Sequence, residues 1–150
     1  MLLVLGQATR RNRGFISVRL RIRMSHTLRN QVLIADDERI IADTLCVILN
    51  GSGYRAQAAY SGEQAIEAAR ILNPDIVIID VIMDGISGIE AAIQISARDP
   101  SCRVILYSGH IATMDLINDV KAIGRSFEVL AKPIHPLVLL DCLRGVPLTA

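Results

Sequence analysis

From residue 31 onward, short apolar runs of strand length alternate with longer amphipathic stretches, and this alternation constrains the fold more than any other feature. Residues 31–35, 54–59, 76–79, 104–107 and 127–131 read as strands. The run 76–79 is unbroken and β-branched, as suits a central strand buried on both faces, whereas 54–59 is weaker and is placed near an edge. Strand followed by helix, five times over, predicts a parallel sheet covered on both faces.

The stretches between strands carry helix signals. Residues 38–49 place Ile40, Ile41, Leu45, Ile48 and Leu49 on a period near 3.6, with Asn50-Gly51 as the stop. Ser61 and Gln64 form a capping box that opens a helix to residue 72, closed by Asn73-Pro74. Ser87 and Glu90 form a second box, opening a helix to residue 98. Residues 113–123 make a helix with Leu116, Ile117, Val120 and Ile123 inward, ended by Gly124. Pro136 suits the first position of a last helix over 137–143.

At 150 residues the chain fits one domain of ordinary size. Aromatics are 3% of the residues and Trp is absent, so the core must be built from Ile, Leu, Val and Ala. Cys46, Cys102 and Cys142 stand singly, without zinc or disulfide spacings, and read as small core residues in a reducing compartment. No apolar run approaches the roughly 18 to 20 residues of a membrane helix, which predicts a soluble, cytoplasmic protein without membrane partners. The opening MLLVLG precedes arginines, the reverse of a secretory signal.

Charge is distributed unevenly. Six of the 16 basic residues (Arg10, Arg11, Arg13, Arg19, Arg21 and Arg23) lie in residues 1–23, which hold no acid, so the rest sets ten bases against 15 acids. Residues 1–30 are read as a basic leader, either disordered or upstream of a true start, since Met24 opens MSHTLRNQVLIADDE. Residues 31–145 are then the folded domain and 146–150 a tail. An acidic body argues against nucleic-acid binding, because it repels a phosphate backbone.

Polar residues close the apolar runs: Asp36 and Asp37 after the first, Asp80 after the third, Ser108 after the fourth and Lys132 after the fifth. In a parallel α/β sheet these carboxyl ends share one rim, where ligands bind. Three clustered carboxylates repel one another, so either one holds a proton or a divalent cation sits among them. Oxygen donors without His or Cys favour a hard ion, Mg²⁺. An aspartate there can act as nucleophile toward a phosphoryl group, with Mg²⁺ and Lys132 stabilising its charge. The Ser108 hydroxyl can donate to a phosphoryl oxygen, and Gly109 leaves room for that movement.

These five positions, with Met83 and Gly88 after Asp80, resemble the response-regulator receiver domain of two-component signalling over residues 31 to about 145. The resemblance implies a flavodoxin-like, doubly wound (βα)5 fold with strand order 2-1-3-4-5. It implies Asp80 as phosphoacceptor, Ser108 as switch hydroxyl and Lys132 as phosphoryl contact. Asp37, Asp80 and the backbone carbonyl of Ile82 would ligate Mg²⁺, with Asp36 assisting through water and Lys132-Pro133 cis. Donors would be a histidine kinase or phosphotransfer protein, and the output would be contact with an unidentified protein, a homodimer among the options. With eighteen residues after Lys132, no DNA-binding domain is expected. Catalysis would be confined to the protein's own phosphorylation and dephosphorylation.

Two positions depart from the family pattern. Asp84 stands where Pro is usual, which adds negative charge and loosens the loop. Val129 replaces the aromatic that usually swings inward, with Phe127 two residues earlier. Ile82 and His110 occupy positions that tune phosphoryl lifetime, and the hydrophobic Ile82 predicts slow self-hydrolysis. His135 reads as a helix cap. The alternative function is a Mg²⁺-dependent phosphatase or phosphotransferase with an aspartyl nucleophile, acting on a small molecule. Such enzymes of the haloacid-dehalogenase type place Asp-x-Asp after the first strand and add a cap domain.

Overall fold

The β-branched run is buried at every position: strand β3 (Ile76–Asp80) lies in the middle of a five-stranded sheet in a computed structural model. The structure describes residues 30–109 and 126–145, with Asp115, Asn118, Lys121 and Gly124 between them. β1 (Gln31–Ala35) flanks β3 on one side and β4 (Arg103–Ser108) on the other, while β2 (Arg55–Ala59) and β5 (Glu128–Ala131) form the edges. The order is β2-β1-β3-β4-β5, and every pairing is parallel. This is the flavodoxin-like doubly wound arrangement, whose direction of winding reverses between β1 and β3.

Because successive strand residues face opposite ways, alternation divides the core in two. Leu33, Val77, Ile79 and Leu106 face α2 (Gly62–Leu72) and α3 (Gly88–Arg98), and pack with Ala65, Ala69, Ala92 and Ile95. Val32, Ile34, Ile78, Ile105 and Tyr107 face α1 (Arg39–Gly51) and α4 (Pro136–Leu143), and pack with Ala42, Leu45, Leu49 and Leu139. Arg103 fastens the β5 edge, donating to both carboxylate oxygens of Glu128 at 2.6 and 2.5 Å and to the Leu143 carbonyl at 3.4 Å.

Local signals set most helix ends. Ser87 and Glu90 form the complete capping box of α3. Ser61 accepts from the Gln64 N–H at 3.1 Å, but the Gln64 side chain accepts from Tyr60 rather than from Ser61, so this box is displaced by one residue. Asn73 closes α2 in the left-handed conformation (φ 46°), and His135 caps α4 by accepting from the Leu137 N–H.

Two expectations for α1 need correction. Asn50-Gly51 does not stop the helix, which runs through Gly51; the positive φ falls at Gly53, and the Asn50 side chain instead bonds both backbone groups of Ala56 on β2. Ile40 does not face inward but is 82% exposed, because Ala42 and Leu45 sit nearer the centre of the buried stripe. The inward residues expected within 113–123, residues 1–29, His110 and the tail 146–150 lie outside the described residues.

The described cysteines are free, with Cys102 and Cys142 buried. The Cys46 thiol is pushed up to about 11, first by burial and then by the charge of Asp43, so it stays a protonated packing group. Among the described residues no helix is long and apolar enough to cross a membrane.

Candidate functional site

Parallel pairing sets the strand ends side by side, and with them the polar residues that close each apolar run. Asp36 follows β1, and its N–H still bonds the Ala59 carbonyl at 3.1 Å, so the sheet holds it where it is fully buried. Asp80 ends β3 opposite Tyr107 of β4 and is 6% exposed. Asp37 points to solvent. Carboxylate oxygens of all three lie within 4.8 Å of one another.

Lys132 enters this cluster from β5, where its N–H donates to the Ser108 carbonyl at 2.9 Å. Its ammonium lies 3.0 Å from Asp36 Oδ2 and 3.1 Å from Asp80 Oδ2. The Lys132-Pro133 peptide is cis, as the resemblance implies. The Asp36 Oδ1 accepts from the Glu38 N–H at 2.8 Å, and Asp80 Oδ1 from the Ile82 N–H at 3.3 Å. Ser108 is half-buried at the end of β4, and the nearest atom to a side chain added at Gly109 would be Lys132 Cβ at 3.6 Å.

Burial raises the pKa of Asp80, and the Asp36 charge adds to this; Lys132 and the Ile82 N–H oppose the rise without cancelling it. Burial alone would lower the pKa of Lys132, but its bonds and charge interactions with Asp36 and Asp80 prevail and raise it. One ammonium thus pairs with two of three clustered carboxylates, a donor set of oxygens only, which fits a small hard divalent cation.

Sequence reasoning brought Asp36, Asp37, Asp80, Ser108 and Lys132 to one rim and missed Tyr107. This side chain is 1% exposed, donates its hydroxyl to Asp36 Oδ2, and lies beneath the Lys132 ammonium, 4.4 Å from the ring centroid. A tyrosine in an apolar run usually reads as core, but its hydroxyl must find an acceptor when buried, and that requirement was the available signal. Burial, followed by the bond to Asp36, raises its pKa and keeps the phenol a donor.

The loop after β3, which carries Asp84, is tied to α2. Glu63, in the first turn of α2, accepts from the Ile86 N–H at 3.0 Å, and hydrogen bonds hold its carboxyl below the usual range. At the other end of the loop, Gly88 lies so close to β3 that an added Cβ would sit 1.8 Å from the Asp80 carbonyl oxygen. Ile82 within it is 52% exposed beside the pocket. Val129 is 38% exposed, and the neighbouring Phe127 packs against the α2–α3 side of the core.

Residues 32–144 match the family model described as the response regulator receiver domain. The chain is 33% identical over 117 residues to the chemotaxis protein CheY of Thermotoga maritima, covering 77% of this chain and 96% of that protein. It is 27% identical over 119 residues to the DNA-binding response regulator MtrA of Mycobacterium tuberculosis, covering 79% of this chain and 51% of MtrA, so it spans about half the length of such relatives. Among solved structures, the response regulator TrrA of T. maritima in complex with Mg²⁺–BeF is similar with a TM-score of 0.68 and 27% identity, covering 79% of this chain and 99% of that one. With the 2-1-3-4-5 sheet and acidic rim already in place, this match decides the assignment: the chain belongs to the response regulator receiver domain family of two-component signalling.

Proposed function

We propose that Asp80 accepts a phosphoryl group from a histidine kinase or phosphotransfer protein in the cytoplasm, and that this changes the protein's contacts with a downstream partner. The observation that carries this reading is Asp80 at the end of β3, shared by a lysine and flanked by two further carboxylates. In the transfer, an Asp80 carboxylate oxygen attacks phosphorus, the P–N bond of phosphohistidine breaks, and the leaving imidazole keeps the electron pair and takes a proton from solvent. Asp37, Asp80 and the Ile82 carbonyl would hold Mg²⁺, with Asp36 assisting through water. The ion would supply charge neutralisation for the incoming phosphoryl group. Lys132 adds its positive charge to the phosphoryl oxygens, and the Ser108 hydroxyl donates to one of them once the group is in place.

Incubation of the full chain with Mg²⁺ and acetyl phosphate, followed by intact mass measurement, tests the proposal. One phosphoryl adduct is expected, stable in acid and labile in base, and absent from Asp80→Asn. An unchanged mass, or an adduct that survives this substitution, overturns the reading. Steady release of phosphate from a small phosphoester would favour the enzymatic alternative instead.

The Glu63–Ile86 bond takes the place of loop rigidity that Pro would otherwise confer at position 84. Glu63→Ala should therefore weaken Mg²⁺ binding by about tenfold, the scale of effects transmitted through groups that support metal ligands. Glu63→Gln, which keeps an acceptor oxygen, should stay within about twofold. Calorimetric titration of both variants reads the difference, and equal behaviour of the two would assign the effect to charge rather than to the loop bond.

A further inference from the structure

We propose that Tyr107 is a positioning residue for phosphoryl transfer, releasing Lys132 from Asp36 so that the ammonium can turn to the phosphoryl group on Asp80. The inference rests on Asp80 being the phosphoacceptor. It starts from a conflict of demands on one cation. Lys132 lies 3.0 Å from Asp36 and 3.1 Å from Asp80, so it is shared almost evenly between the two. A phosphoryl group on Asp80 brings new negative charge, and Lys132 can follow it only by loosening its hold on Asp36. Asp36 is fully buried, and a carboxylate oxygen deprived of its donor there strongly opposes the movement.

Tyr107 removes that opposition. Its hydroxyl donates to the same Oδ2 that Lys132 occupies, while the Glu38 N–H holds Oδ1, so Asp36 keeps a donor on each oxygen after Lys132 has turned away. The Tyr107 ring lies beneath the ammonium, 4.4 Å away at its centroid, and offers a negative face along which the charge can shift. β4 fixes all of this: Tyr107 is the register partner of Asp80, and its ring is anchored in the core shared with α1 and α4. Nothing in the bond-making step changes, since the phosphoryl group still passes to Asp80 and Tyr107 neither gains nor loses a proton.

The test is Tyr107→Phe, which keeps the ring and removes the hydroxyl. Wild-type and variant full chains are compared for Mg²⁺ affinity by calorimetry, and for the rate of adduct formation with acetyl phosphate at saturating Mg²⁺ by quenched intact mass. The expected result is a split, with the saturated rate falling about tenfold and the Mg²⁺ dissociation constant changing by less than about threefold. A purely structural role would move both together. In an Asp36→Asn background there is no carboxylate to retain Lys132, so adding Tyr107→Phe should change the rate by less than about twofold. A wild-type rate in the single variant, or equal losses in both backgrounds, overturns the role of Tyr107. Absence of any adduct on the wild-type chain would instead defeat the phosphoacceptor reading itself.

Discussion

Lys132→Ala is expected to reduce phosphoryl uptake by about two orders of magnitude and to lower the unfolding free energy by about 3 kcal/mol at neutral pH. The side chains of Asp36 and Asp80 are 0% and 9% exposed, and Lys132 is the cation that faces both. Its removal leaves two buried carboxylates and the neighbouring Asp37 without a positive charge at hydrogen-bond distance among the described residues. The cost is bounded because one carboxylate can take a proton. Asp80, already raised above its ordinary 3.8, would rise further in the variant. A carboxyl with a raised folded-state pKa gives stability that is present below its unfolded value and lost as pH rises through the folded one. The deficit of the variant should therefore be small below about pH 4 and grow toward neutrality. Mg²⁺ should restore much of the stability but little of the rate, because a metal offsets static repulsion while the transferring oxygens still lack their ammonium. Guanidinium unfolding with and without Mg²⁺, set beside adduct kinetics, checks both parts; a variant that recovers both would show that Lys132 serves charge balance alone.

Gly88→Ala is expected to cost about 3 kcal/mol, at the upper end of overpacking effects, and to weaken Mg²⁺ binding. The added Cβ would lie 1.8 Å from the Asp80 carbonyl oxygen, 2.7 Å from its carbon and 3.0 Å from Val81 Cα. All three are backbone atoms, so no side chain can rotate aside. Either α3 must retreat from β3, or the end of β3 must shift and carry Asp80 with it. Gly51→Ala is the control: it stands in the last turn of α1 with nothing within 4 Å of an added Cβ. Helix preference alone then applies, for a gain of about 0.5 kcal/mol. Denaturant midpoints of the two variants should diverge in opposite directions from wild type, with Mg²⁺ titration changed only in Gly88→Ala, and a Gly88→Ala protein of wild-type stability would refute the close approach.

How far the sequence could be read is clearest where it succeeded and failed within one element. In α1 the period near 3.6 located the helix, yet Ile40 is exposed while Ala42 is buried, since hydrophobicity marks a broad face and only the sheet beneath decides its centre. At Ser87 the capping box formed as its residues dictate, because all of its atoms lie within one turn. At Ser61 the return bond moved to Tyr60, whose N–H is presented to Gln64 by the chain leaving β2. Asn50 was expected to stop a helix and instead ties α1 to Ala56 across six residues.

The sequence by itself determined the five strands, most helix limits and the charged or hydroxyl residues at four strand ends, because periodicity, caps and turn residues act over a few positions. Only the tertiary structure decided how those charges are shared. Lys132 stands 96 residues from Asp36 and Tyr107 stands 71 from it, and no local pattern encodes which oxygen each will reach. Glu63 meets Ile86 across 23 residues in the same way, tying α2 to the loop that carries Asp84. The physical reason for the first two is that desolvation makes each polar group seek a partner, and chain packing determines which partner is within reach; at the exposed Glu63 packing alone brings the partners together.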